Sequence, residues 1–306
     1  MDGLILIDKP RGLTSHDIVA RIRKILGLAR VGHFGTLDPL ATGLLLIGVG
    51  TATRLFPVFA KQDKVYVGRI RLGLATDTYD ALGRPMTAES ADLPSQQDLL
   101  RAMEKFVGTI EQVPPPYSAK KMGGKPLYKW ARSKKPVELN PHPVTIYSFR
   151  LTDYTPPVVD FEAKCSSGTY IRSLAHDLGQ DLGCGAHLAA LRRTEAGKFR
   201  ASSAFLLEQV EKLTACGNVQ EFLIPLESLF KEWPKAVLKS LSKGTVQKGK
   251  AIPSDHVLKV FEPERGEAVP PEGEAIFRVF SEEGRFLALA RRDKRKGGIV
   301  PTIVLR

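Results

Sequence analysis

Acids are in short supply in this chain: 33 Asp and Glu stand against 45 Lys and Arg, which leaves a formal charge of +12. Such a balance disfavours cationic ligands and points to a polyanionic partner. Cysteine is scarce as well. Cys165, Cys184 and Cys216 lie far apart with no C-x-x-C pair, which excludes a disulfide framework and a cysteine-based zinc site and fits a reducing cytoplasm. Long apolar runs are missing, so no membrane-spanning helix is expected. The opening "MDGLILIDKPRGLTSHD" lacks the basic flank and long apolar centre of a secretory signal, and a cytoplasmic protein is the expectation. No low-complexity tract is present. What remains is ordinary globular composition, 43% hydrophobic and 25% charged over 306 residues, enough for one large domain and one small one.

The first segments are easy to place. "GLILID" reads as a short strand and "KPRGLTSHD" as a loop entering a helix, with Thr14 and Asp17 spaced as a capping box. Ile18, Val19, Ile22 and Ile25 then supply one apolar helix face. In "VGHFGTLDPLATGLLLIGVG" the run "LLLIGVG" is a buried strand, and "GTLDPLATG" is the loop that feeds it. Pro39 fixes its own φ and biases Asp38 towards an extended backbone. Asp38 is then either a turn-former bonding nearby N–H groups or a chemical group aimed into a cleft. Taken alone, the turn-former is the simpler reading.

In "KVYVGRIRLGLAT", Ile70, Leu72 and Leu74 alternate with Arg69, Arg71 and Gly73, the period of a half-buried strand. Tyr66 shares the apolar parity, although a bulge at Gly68 would reset it. Residues 77–116 begin polar, include a helical patch at "QDLLRAMEKFVG" and end in "VPPPY", which fits neither helix nor central strand. Between Tyr117 and Pro136 seven cations (Lys120, Lys121, Lys125, Lys129, Arg132, Lys134 and Lys135) run without an acid, interleaved with Tyr117, Tyr128 and Trp130. Charges for phosphates and rings for bases suit a nucleic-acid groove, against the plainer reading of a solvated basic loop.

"VVDFEAKC" alternates as a strand, "SSGT" breaks it, and Thr169 is placed to cap a helix with the stripe Ile171, Leu174, Ala175, Leu178 and Leu182. Arg172 falls off that stripe in the first turn, where a cation opposes the helix dipole unless an anion is near. A local rule broken in this way often marks a site. "SSAFLLEQVEKL" reads as helical. From about Lys235 the runs "GTVQKGKAI", "AIFRVF", "RFLALARR" and "IVPTIVL" suggest a small β-rich module, with Trp233-Pro234 as the boundary.

Five motifs in one order, "DKPRGLTSHD", "GHFGTLDPLATG", "KVYVGRIRLG", "SSGTYIRSLAHDLG" and "GCGAHLAALRR", resemble the bacterial tRNA pseudouridine-55 synthases of the TruB type. The resemblance spans most of residues 3–200. It implies an α+β fold: a pseudouridine synthase-like catalytic domain (1–233) whose mixed, mainly antiparallel β-sheet is flanked by helices. An RNA-clasping insertion is expected at about 110–145, and a small C-terminal β-rich, PUA-like RNA-binding domain at 234–306. It implies isomerisation of the T-arm uridine of tRNA, with the base extruded from the folded RNA and a carboxylate meeting the sugar as the glycosidic bond breaks. On this resemblance Asp38 is the catalytic aspartate, Arg172 the arginine that pairs with it, and Tyr66 the ring that stacks on the flipped base and helps move its proton. His33, Tyr170, Leu191 and Lys9 fall at positions expected to contact RNA or line the uracil pocket, and Lys120, Lys121, Lys125 and Lys129 in the clasp. No cofactor and no metal are implied. A monomer acting on tRNA without an obligate protein partner is expected, because the guide-RNA-dependent relatives rely on partner proteins where standalone members carry such an insertion.

Each residue has a plainer reading: Tyr66 as a core aromatic, His33 as a backbone-bonding histidine, Tyr170 and Leu191 as packing. A non-catalytic RNA-binding or RNA-folding module would keep the basic segments but need neither Asp38 nor Arg172. A glycosidase would want a second carboxylate, and the motifs offer one obvious acid.

Overall fold

The computed structural model describes residues 1–118, 121–122, 125–126, 140–261, 276–293 and 298–305. In chain order the strands up to residue 225 are β1 (Gly3–Lys9), β2 (Val31–His33), β3 (Thr42–Val49), β4 (Lys64–Leu72), β5 (Gly108–Gln112), the two-residue pair β6 (Lys121–Met122) and β7 (Lys125–Pro126), β8 (His142–Thr155), β9 (Val158–Cys165), β10 (Ala186–Ala196), β11 (Phe199–Arg200) and β12 (Leu223–Pro225). Ten of them form one sheet along the path β12-β1-β3-β10-β4-β9-β8-β5, with β2 joined to β3 and β11 to β10. Every pairing in it is antiparallel except β3 with β10.

The unbroken apolar runs of β1 and β3 are explained by their central place. Ile5, Ile7, Leu45 and Ile47 join one core, while Leu4, Leu6, Leu44 and Leu46 join another on the opposite face. A strand covered on both faces has no reason to alternate. Helices Ser15–Leu26, Gln96–Glu104, Ile171–Asp181 and Leu207–Ala215 pack residues into the first core. The Thr14–Asp17 capping box forms as expected, and Gly27 closes the same helix in the left-handed conformation.

The second core holds a stack of rings, Phe34 on Phe59, Phe59 on Phe230 and Phe230 on Trp233. It also takes Phe280, Phe286, Leu289 and Leu305 from a second sheet. That sheet contains β13 (Lys235–Leu238), β14 (Val257–Phe261), β15 (Ile276–Ser281), β16 (Phe286–Arg292) and β17 (Ile299–Val304), in the order β14-β13-β15-β16-β17. It has a core of its own around Val279, Ala288 and Ala290. The architecture is therefore α+β with mixed sheets and a C-terminal β domain, docked through shared apolar surface.

Three local expectations need correction. Gly68 is not a bulge: β4 stays in register with β9 through it, and the irregularities fall on β10, between Leu188 and Ala190 and between Arg193 and Glu195. Gly68 is needed for closeness, since a Cβ there would stand 2.7 Å from the Ala190 carbonyl oxygen and 2.8 Å from the Phe161 ring. The helix read from "SSAFLLEQVEKL" begins only at Leu207, because Phe205 is drawn into a bridge with Ile7 of β1. Thr169 does not cap the helix after it; Tyr170 is the N-cap residue, without a side-chain bond, and the Thr169 hydroxyl donates to the Ser166 carbonyl.

Gly43 sits where β3 meets β10 in parallel, opposite Arg193 and at φ +93°. A Cβ there would run into the Arg193 backbone, with its nitrogen 2.9 Å away. Gly12 also has positive φ, +91°, but open space around it. We expect Gly43→Ala to cost at least about 2 kcal/mol and Gly12→Ala about 1 kcal/mol, the second being conformational strain alone. Urea midpoints measure both; equal losses would show that the backbone collision contributes nothing.

Candidate active site

The loop before β3 is pinned from below. The Ser15 hydroxyl donates to the Leu37 carbonyl at 3.2 Å and accepts from the Leu37 N–H at 2.9 Å. Gly12 N–H holds the Pro39 carbonyl at 2.8 Å, and Ala41 N–H returns to the Asp38 carbonyl at 3.0 Å. Leu37, Leu40 and Ala41 are sunk in the first core. With its flanking residues anchored inward, Asp38 is left projecting, its side chain 36% exposed. It bonds no loop amide of its own as a turn-former would; its carboxylate meets an arginine 134 residues away.

Arg172 is that arginine, at the start of helix Ile171–Asp181 with its side chain 6% exposed. Its Nε donates to Asp38 Oδ2 at 2.9 Å and its Nη2 to Oδ1 at 3.2 Å. The remaining N–H groups reach the Thr78 carbonyl at 3.0 Å and the Tyr117 carbonyl at 2.9 Å. A second acid, Asp80, stands 3.9 Å from Nη1 and is almost as buried as the arginine. The cation in the first helical turn is thus accounted for, because two carboxylates and two carbonyls surround it. A planar guanidinium with all its edges occupied fixes the aim of Asp38 and keeps company with its charge.

Asp38 and Arg172 open onto a cavity of about 230 Å³ lined also by Lys64, Tyr66, Ser118, Tyr170, Leu191 and Arg193. Tyr66 stands on the same face of β4 as Ile70 and Leu72, and its burial raises the phenol pKa, with the nearby Arg193 opposing that rise. Lys64, two residues earlier on the same face, donates to the Ala60 carbonyl at 2.7 Å and to that of Gln62. Burial depresses its pKa to about 8. Tyr170 is held at the rim by a reciprocal pair: its N–H donates to Gln112 Oε1 at 2.7 Å, and Gln112 Nε2 donates to its carbonyl at 3.0 Å.

The expected residues do not all converge. Asp38, Tyr66, Tyr170, Arg172 and Leu191 share the cavity. His33 lies outside its wall, edge-on to His16 with ring centres 5.5 Å apart, and burial lowers its pKa to about 4. Lys9, expected to contact RNA, is instead fully buried. Its ammonium donates to the Pro10 and Leu13 carbonyls at 2.9 and 2.7 Å, and burial takes its pKa to about 8. A lysine spent on its own loop has no reach to a phosphate; it braces the "KPRGL" turn beside the Asp38 loop. Lys120, Lys129 and the side chains of Lys121 and Lys125 lie outside the described residues.

Two wall residues, Lys64 and Arg193, and the acid beside Arg172, Asp80, carried no sequence signal. Asp80 sits in a stretch that reads only as polar, yet its Oδ1 accepts from the Thr78 hydroxyl and the Leu82 N–H, closing the turn that presents Thr78 to Arg172. Lys64 and Arg193 are buried cations, and a basic residue in a sequence defaults to the surface. Among the described residues no group of three or more His, Cys, Asp or Glu could hold a metal, and no helix is long and apolar enough to cross a membrane.

Two family models match in tandem: "TruB family pseudouridylate synthase (N terminal domain)" over residues 23–171 and "tRNA pseudouridylate synthase B C-terminal domain" over 172–231. The chain belongs to the TruB family of pseudouridylate synthases. Its relatives in that family include the tRNA pseudouridine synthase B of Opitutus terrae, 46% identical over 74% of this chain and 93% of the relative. That of Solibacter usitatus is 42% identical over 83% and 87%. Among solved structures it is similar to the "Crystal Structure of a Cbf5-Nop10-Gar1 Complex", with a TM-score of 0.71 and 26% identity over 99% of this chain and 85% of the other. The structure of an "H/ACA RNP bound to a substrate RNA containing 2'-deoxyuridine" gives a TM-score of 0.70 at 25% identity, over 99% and 85%. The two TruB models meet between Ile171 and Arg172, at the start of the helix that carries the arginine, and both end before the five-stranded sheet.

Proposed function

We propose that this TruB-family chain isomerises the T-arm uridine of tRNA, at position 55, to pseudouridine, with Asp38 as the catalytic carboxylate and no cofactor. The observation that carries the reading is the Asp38 carboxylate gripped by Arg172 at the mouth of a cavity that also holds Tyr66. The reaction breaks the bond between the ribose C1′ and N1 of uracil and joins C1′ to C5; the C5 proton is lost and N1 gains one, so composition is unchanged. Positive charge developing at C1′ calls for a carboxylate held ionised and aimed, and a uridine in a folded RNA reaches such a cavity only by leaving its stack. A non-catalytic RNA-binding module has no use for a buried arginine that spends itself on orienting one acid. The decisive experiment is incubation of an unmodified tRNA transcript with the protein alone, followed by mapping of pseudouridine: one modified position in the T arm is expected, and none would reject the proposal.

The cation-rich run from Lys120 to Lys135 is assigned to the RNA backbone on its composition. Each phosphate contact adds about 0.7–0.9 to the slope of log affinity against log salt, so about three contacts amount to roughly two units. Replacing Lys120, Lys121, Lys125 and Lys129 by Ser is expected to weaken tRNA binding most at low salt and flatten the slope by that amount. Turnover of bound RNA should fall less. A slope unchanged by the fourfold replacement would remove the run from the RNA interface.

A further inference from the structure

Arg193 is the most deeply buried cation of the cavity wall, 1% exposed, and no carboxylate pairs with it among the described residues. Its Nε donates to the Leu44 carbonyl at 2.7 Å and its Nη2 to the Gly35 carbonyl at 3.2 Å, which fixes the plane of the guanidinium. It is the direct cross-strand neighbour of Tyr66 in the β4–β10 ladder, so the two side chains leave the same face of the sheet side by side. The irregularity of β10 at Ala189 sets this orientation, because the added residue moves the side chains that follow, Leu191 and Arg193 among them, to the other face; a second irregularity follows at Thr194. Thr194 is tied down by its hydroxyl, which donates to the Val65 carbonyl at 3.2 Å. Both the Arg193 and the Tyr66 side chains line the cavity that Asp38 and Arg172 open onto.

Burying an arginine without a carboxylate is costly, and two carbonyls recover only part of that cost. We propose that Arg193 is a positioning residue for the isomerisation. It donates a hydrogen bond to the Tyr66 phenol oxygen, so that the phenol's own hydrogen points into the cavity, towards the base held near Asp38. The proposal rests on the functional reading given above. Arg193 stands directly opposite Tyr66 with its Nε and Nη2 held by carbonyls, and a donor on the phenol oxygen leaves that hydroxyl one free direction for its proton. With Lys64 on the same wall, the cavity carries three buried cations against the single charge of Asp38. Such an excess favours the step in which uracil, cut from C1′, holds the electron pair of the broken bond.

The test is a double-mutant cycle between Arg193→Gln and Tyr66→Phe, with Arg193→Lys alongside. It is read as the single-turnover rate of pseudouridine formation on a tRNA transcript, together with tRNA affinity and thermal melting. Arg193→Gln is expected to slow the chemical step about a hundredfold while tRNA affinity changes less than about twofold, the size of loss typical of a misplaced proton-transfer group. Arg193→Lys, which keeps the charge, should recover part of the rate. In the Tyr66→Phe background the same Arg193 substitution should cost under about threefold, because the hydroxyl it serves is gone. Full additivity of the two losses would overturn the proposal, as would an unaltered rate in Arg193→Gln or loss of the fold in both Arg193 variants. A wild-type protein that forms no pseudouridine would overturn the functional reading itself, and this proposal with it; an active wild type with additive losses would overturn this proposal alone.

Discussion

Asp38→Asn should lose at least a thousandfold in the rate of pseudouridine formation, about 4 kcal/mol of transition-state stabilisation, while melting and tRNA affinity stay close to wild type. The substitution keeps size and planarity and removes only the charge. The loop that carries Asp38 is held by Ser15, Gly12 and three buried apolar residues, none of which depends on the carboxylate. The Arg172 side chain retains its two carbonyl acceptors and Asp80 nearby. Single-turnover kinetics on a tRNA transcript, with filter-binding affinity and a melting curve on the same preparation, measure all three quantities. A rate within tenfold of wild type would remove Asp38 from the chemistry.

Arg172→Met should fail differently, losing stability as well as activity. The guanidinium bonds Asp38, Thr78 and Tyr117 at once, and without it the nearly buried Asp80 loses the cation beside it. Removing one partner of a buried ionic cluster costs about 3–5 kcal/mol; because Asp38 is partly open to solvent, the lower end, about 3 kcal/mol, is expected. Arg172→Lys keeps a charge but has one ammonium where the site needs a planar fork, so about 1–2 kcal/mol and an intermediate rate are expected. Urea unfolding and single-turnover rates give both axes. A Met variant as stable as wild type would mean that the pair is not coupled to the fold.

The contrast between these variants separates two jobs that the sequence presents as one pair of motif residues. Asp38 is supported by its surroundings without supporting them. Arg172 ties together a helix start, the turn at Thr78–Asp80 and the segment at Tyr117, so it is both orienter and cross-link.

The sequence by itself determined a good deal. Alternation marked β4 and β9, and Val159, Phe161, Ala163 and Cys165 are buried where the period of two places them. The box at Thr14–Asp17 announced the first helix, and the misfit of Arg172 with its helix dipole announced an anion. These signals are local: each is set by residues a few positions apart, through backbone geometry or a nearby dipole.

Only the tertiary structure decided the rest. β10 was illegible as a strand because its two irregularities break the period of two, so that Leu188, Leu191 and Arg193 share a face without sharing a parity. Lys9 was expected at the RNA, and Lys64 carried no signal, yet both are buried: each ammonium is satisfied by carbonyls of its own adjoining turn, Pro10 and Leu13 for Lys9 and Ala60 and Gln62 for Lys64, once the fold covers that turn. Asp80 looked like one polar residue among many until helix Ile171–Asp181 brought Arg172 against it. Burial and pairing between segments ninety or more residues apart depend on how the sheet closes, and a one-residue shift in strand register would send each of these side chains to the other face.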